Sequence, residues 1–127
     1  AEADIVIWGY VNEKKKLALM SQSIALLYPS MREGWGLSVT EAGAVGTPSI
    51  VYPVPGLIDA VDEGRAGWLC SAPNSQALAE QMLECLNDRD KYETMRLKAF
   101  SFASQFSWGK TATTFEGILN QVLNKNP

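Results

Sequence analysis

The sequence predicts an α/β fold: a partial Rossmann-like parallel sheet of about four strands with flanking helices and a helical C-terminal tail. Three observations carry this. Short β-prone apolar runs alternate with stretches of helical period over residues 1–72. Residues 24–28 are apolar throughout and stop at Pro29, as in a strand buried on both faces of a parallel sheet. Residues 73–127 show helical periodicity alone.

The first expected strand is residues 5–8, ending at Gly9. Residues 13–22 space Leu17, Met20 and the following Ile24 like one helix face. After the strand at 24–28 comes a glycine-containing turn, then a helix over 37–45 closed by Gly46 and Pro48, a helix-stop pair. Residues 49–52 form the third expected strand. Pro53, Pro55 and Gly56 force an irregular turn before a short helix at 57–63, and Gly64 and Gly67 bracket a fourth strand at 68–70. Asn74 is a good N-cap for a helix whose Leu78, Met82, Cys85 and Leu86 share a face. Two further helices are expected at 91–105 and 108–123, the last with Phe115, Ile118, Leu119, Val122 and Leu123 as its apolar stripe. The helical tail is expected to pack against the sheet.

Composition bounds the chemistry. The 127 residues make one domain, and 46% hydrophobic with 20% charged residues is an ordinary globular balance. A net charge of −3 supplies no bulk attraction for a phosphate backbone, so nucleic acid is not an expected partner. With no histidine, Ser-His-Asp hydrolysis and His-based zinc chemistry are excluded. Cys70 and Cys85 fall in no C-x-x-C spacing, fit a reducing compartment and are expected to be buried and inert. No apolar run approaches the roughly 20 residues of a membrane span. The lack of an initiator Met, a strand-like start and a small sheet lead us to expect a truncated domain.

The informative segment runs from Pro29 to Glu41, between the C-terminal end of a buried strand and the first turns of a helix, where open α/β sheets bind ligands. Gly34 and Gly36 let a ligand approach the backbone, and the amides and dipole of the following helix suit phosphate oxygens. Glu33 and Glu41 can face one crevice; a carboxylate there accepts hydrogen bonds from sugar hydroxyls and suits a vicinal diol. Amides for a diphosphate and carboxylates for hydroxyls together describe a nucleotide sugar. Structural readings stand beside this one. Ser38-x-x-Glu41 is also a capping-box pattern, Glu33 can pair with Arg32, and Trp35 can be a hydrophobic plug. Lys14, Lys15 and Lys16 read as a solvated helix face, with an anionic-membrane or partner patch as the alternative.

At this point the sequence resembles the retaining glycosyltransferases of family 4, in the GT-B class. Pro29-Ser30, Glu33-Gly-Trp-Gly-Leu37, Glu41-Ala42, Gly46-Thr-Pro48, Val54-Pro-Gly-Leu-Ile-Asp59, Glu63-Gly64, Gly67-Trp-Leu69 and Phe106-Ser-Trp108 carry the likeness, and Gly9-Tyr-Val11 resembles the turn before the motif. Nearly the whole chain is covered. Pro55 stands where the family often has Gly, Asp59 where Glu is common, and Trp35 where Phe is usual.

The resemblance implies a nucleotide-sugar-binding C-terminal domain, here residues 1–127. Glu33 would bond the transferred sugar and act as the catalytic carboxylate, and Glu41 would hold the ribose. Gly34, Trp35, Gly36, Leu37 and Ser38 would serve the donor sugar and phosphates, with Tyr10 and Val11 near the base. It implies no bound metal or cofactor beyond the nucleotide diphosphate sugar. It also implies an acceptor-binding N-terminal domain outside these residues, through which alone a membrane would be touched, and an Arg and a Lys on the phosphates that this chain does not match. The expected setting is cytoplasmic, optionally at the inner membrane face, in cell-envelope or polysaccharide synthesis. Two alternatives stay open: a GT-B-type nucleotide-sugar epimerase or glycan phosphorylase, and a non-catalytic scaffold in which Glu41 is only a cap.

Overall fold

The computed structural model describes residues 4–124. Three parallel strands form one sheet in the order β1 (Leu26–Tyr28), β2 (Ser49–Val51), β3 (Trp68–Leu69). The register sets Leu27 beside Ile50 and Ile50 beside Trp68. Six α-helices surround or follow it: α1 (Glu13–Gln22), α2 (Leu37–Ala44), α3 (Pro55–Ala60), α4 (Ser75–Asn87), α5 (Arg89–Ala103) and α6 (Trp108–Leu123), with a 3₁₀ turn at Asp62–Gly64.

Period-two alternation on β2 divides the core. Ile50 joins Tyr52, Trp68, Cys70, Ala77, Cys85 and Met95 on one face, while Val51 joins Val39, Leu57, Ala60 and Val61 on the other. Helix α4 covers the first face, α2 lies on the second with α3 beside it, and α5 bridges α4 and α2. Ile50, Leu57, Val51 and Val61 are fully buried, each stabilising by roughly 1.5–3 kcal/mol relative to exposure. Both cysteines are buried and free.

Local signals place the helix ends. Asn12 caps α1 through Lys15 N, Asn74 caps α4 through Ala77 N, Asp88 caps α5 through Lys91 N, and Ser107 caps α6 through Lys110 N. Helix α2 closes in a Schellman pair, with Gly46 N donating to Gly43 O and Thr47 N to Ala42 O, both at 2.9 Å. Thr47 Oγ1 then donates to Met20 O at 2.6 Å, tying the end of α1 to the entry of β2.

Several expectations change. The strand expected at 24–28, buried on both faces, is shorter, Leu26–Tyr28, and is not fully buried: Ile24 and Leu27 are exposed, because β1 lies at the edge of the sheet and pairs only with β2 among the described strands. Residues 5–8 are not a strand: no described strand lies beside them, and Ile5, Val6, Ile7 and Trp8 are all exposed, so their backbone has no ladder to join. The inward face of α1 is not Leu17, Met20 and Ile24. Leu17 and Ile24 are exposed, and the half-buried residues are Lys16, Leu19 and Met20, because the helix ends at Gln22 and its tilt is set by the Thr47 contact. The short helix expected at 57–63 starts earlier, at Pro55, and breaks at Val61, after which Asp62 and Glu63 take left-handed φ of 51° and 55°. Helix α6 does not pack on the sheet; it has no buried residue, and Phe115, Ile118, Leu119, Val122 and Leu123 face outward.

Candidate functional site

Tyr28 is the last residue of β1, and its hydroxyl donates to Glu33 Oε1 at 3.0 Å across the turn that Pro29 begins. Accepting that proton raises the Tyr28 pKa above its ordinary value, with burial adding to the effect. Glu33 is therefore anchored to the strand end, and the structure shows no pairing with Arg32. The backbone at Glu33 and Gly34 lies against the first turn of α3. A Cβ at Gly56 would sit 2.6 Å from the carbonyl carbon of Gly34, so the approach is open only to glycine.

Trp35 is half-buried. Its Nε1 donates to Thr40 Oγ1 at 2.8 Å, and its ring meets Phe106 edge-on at 5.1 Å. The plug reading of this side chain holds, which leaves its backbone amide as the group available to a ligand. Gly36 is the N-cap of α2, in left-handed geometry with φ of 82°, and a Cβ there would strike Leu57 Cδ2 at 2.6 Å. Its carbonyl takes the Val39 amide at 2.9 Å. Among the described residues, no internal hydrogen bond uses the amide nitrogens of Gly34, Trp35, Gly36, Leu37 or Ser38. Gly34 and Leu37 are exposed, Trp35 and Ser38 half-buried and Gly36 buried, so this end of α2 carries internally unpaired donors and the positive end of its dipole, with solvent reaching it at Gly34 and Leu37.

Glu41 lies one turn further along α2. The capping-box reading fails, because the N-cap is Gly36 and no side chain caps the helix, so Ser38 lies inside the first turn. Instead Glu41 Oε1 accepts from Lys16 Nζ at 3.0 Å, a contact between residues 25 apart. Lys16 also holds Glu13 Oε2 at 2.9 Å, and the two carboxylates, Glu13 before Glu41, raise its pKa. Lys16 thus leaves the solvated face expected of residues 14–16, and Lys15 leans over the Trp8 ring at 4.4 Å.

Tyr10 is 99% exposed and touches no other expected site residue through a hydrogen bond or ring contact. Val11 is half-buried and lines a cleft of about 220 Å³ with Lys16, Leu19, Met20 and Thr47. The structure therefore connects Val11 and Glu41 through Lys16, and holds Glu33 separately through Tyr28. Sequence reasoning passed over Tyr28, Lys16, Thr40 and the bracing role of Gly56. An aromatic ending a strand just before a loop carboxylate is a usable signal for Tyr28; nothing local marks Lys16 as a partner of Glu41.

The chain is thus a parallel α/β domain with internally unpaired amides at a helix start, flanked by two half-buried carboxylates. The comparisons specify it further. The family model described as Glycosyl transferases group 1 matches residues 1–102, and the chain belongs to that family. It is 40% identical over 91 residues to a D-inositol 3-phosphate glycosyltransferase of Nocardia farcinica, covering 72% of this chain and 20% of that protein. A protein of the same name from Corynebacterium aurimucosum is 34% identical over 108 residues, 85% of this chain and 26% of its own length. An N-acetyl-alpha-D-glucosaminyl L-malate synthase of Bacillus anthracis is 31% identical over 123 residues, 96% of this chain and 32% of that protein. The chain spans between a fifth and a third of these relatives.

Proposed function

We propose that this chain is the donor-binding part of a retaining glycosyltransferase that moves a sugar from a nucleotide diphosphate sugar to an acceptor hydroxyl. The observation that carries this is the run of free amides from Gly34 to Ser38 between two carboxylates, neither of which is consumed as a helix cap. In this reading the amides and the α2 dipole take charge that develops on the departing diphosphate, where electrostatic stabilisation weighs most. Glu33, oriented by Tyr28, bonds the transferred sugar near its reacting carbon, and Glu41 holds the ribose. Val11 flanks the base, with Tyr10 closing over it from its exposed position.

The transfer itself belongs to the longer protein. The Arg and Lys that the family resemblance puts on the phosphates are not matched here, and the acceptor side lies in a further domain, so the 127-residue chain binds donor without turnover. The names of the Nocardia farcinica and Bacillus anthracis relatives carry different compounds, D-inositol 3-phosphate and L-malate. Acceptor choice is thus assigned outside this donor part. In this reading no metal takes part in the step, and the full-length enzyme works in the cytoplasm.

Isothermal titration with UDP and GDP sugars tests the reading. One nucleotide series is expected to bind, and Glu41→Ala is expected to weaken it roughly tenfold, the worth of hydrogen bonds to a charged acceptor. Equal affinity in the two proteins would refute it. In the full-length enzyme, activity is expected to survive a chelator.

A further inference from the structure

Lys16 joins two places that the proposed donor site needs together. Its side chain, 28% accessible, crosses from α1 to Glu41 on α2, itself 36% accessible, and the same lysine lines the cleft beside Val11. Its origin is fixed because α1 starts at the Asn12 cap, and the Lys16 amide donates to Asn12 O at 2.9 Å. Its head group is fixed from two sides, by Glu13 at 2.9 Å and Glu41 at 3.0 Å. Among the described residues, Glu41 Oε2 accepts no hydrogen bond, so one oxygen is held and the other is left to a ligand. Unbraced, a carboxylate on a half-exposed helix face samples several rotamers, and each hydrogen bond to a ligand then costs the entropy of ordering it.

We propose that Lys16 is a positioning residue: by holding Glu41 Oε1 it presents Oε2 to the vicinal hydroxyls of the ribose of a bound nucleoside diphosphate. This rests on the assignment of Glu41 to the ribose. Lys16 makes no contact with the sugar in this scheme; its effect passes through Glu41. It therefore governs the preference for ribose over a sugar lacking those hydroxyls.

The test is titration of the chain with UDP and GDP and with their 2′,3′-dideoxy counterparts, followed by calorimetry or ligand-observed NMR. The unsubstituted chain is expected to prefer the ribose form roughly tenfold. Glu41→Ala should erase that preference. Lys16→Met should remove most of it, Lys16→Arg should retain it, and the double variant should lose no more of the preference than Glu41→Ala alone. If Lys16→Met keeps the full preference, or weakens both forms equally, while Glu41→Ala erases it, Lys16 is only a tie between helices and the proposal falls with the ribose assignment intact. If the unsubstituted chain shows no preference, or no binding at millimolar nucleotide, or if Glu41→Ala leaves the preference in place, the ribose assignment fails and takes the proposal with it.

Discussion

Gly34 and Gly56 sit on opposite sides of one contact and predict opposite phenotypes. A methyl group at Gly56 would meet backbone of Glu33 and Gly34, with the Gly34 carbonyl oxygen at 2.7 Å, and neither can yield without moving the loop. Gly56→Ala is expected to cost about 1–3 kcal/mol in urea unfolding and to abolish nucleotide binding. A methyl at Gly34 meets nothing within 4 Å. Gly34→Ala is expected to leave stability within about 0.5 kcal/mol while lowering donor affinity, because the added group occupies the ligand's space. The buried thiols make a third residue-scale prediction. Burial pushes Cys70 and Cys85 above the ordinary thiol value of 9.0. The unfolded chain therefore gives up these protons first and binds fewer than the native state, so stability is full below that pH and falls as pH rises through the native values. Tyr28, raised above 10.0 by its bond to Glu33 and by burial, adds a loss of the same sign. Urea midpoints should decline as pH rises above the ordinary thiol value of 9.0, and Cys70→Ala with Cys85→Ala should flatten the decline.

Helix α6 shows how an element forms without adding to the core. Ser107 caps it and it runs for sixteen residues, yet no side chain in it is buried. The contact that matters lies just before it: Phe106 meets Trp35 and Phe102 edge-on, both at 5.1 Å, and so links the loop to the end of α5. Ending the chain after Ser107 should change stability by no more than about 0.5 kcal/mol, whereas Phe106→Ala should cost about 1 kcal/mol and weaken donor binding by loosening Trp35. Thermal melts of the two variants check this. The element boundaries were largely legible beforehand, because Asn74 and Gly46 are local signals that act within one turn. The orientation of α1 was not legible, since Thr47 and Glu41, which hold it, lie far along the chain.

At the scale of the whole molecule, β1 is one edge of the sheet, and no described strand pairs with its outer side. Beside it runs a groove of about 290 Å³ lined by Ile24, Leu27, Ile50, Met82 and Leu86, with Leu27 40% exposed and Ile24 55%. An unpaired strand next to apolar surface favours edge-to-edge association. The chain is expected to self-associate as concentration rises, and Leu27→Lys should suppress this in sedimentation without disturbing the fold. Residues 5–8 carry a strand-like pattern but take no place in the sheet, since pairing depends on a neighbour and not on propensity alone.

The sequence by itself determined the α/β class, the positions of α2, α4 and α6, the burial of both cysteines and the segment from Glu33 to Glu41 where the candidate site lies. These follow from periodicity, caps and motif spacing, which act over a few residues. Only the tertiary structure decided what each carboxylate touches: Tyr28 for Glu33, Lys16 for Glu41, and no helix cap for either. Tyr28 and Glu33 meet across one short turn, whereas Lys16 and Glu41, 25 residues apart, are joined only by the packing of α1 on α2, which no local pattern encodes.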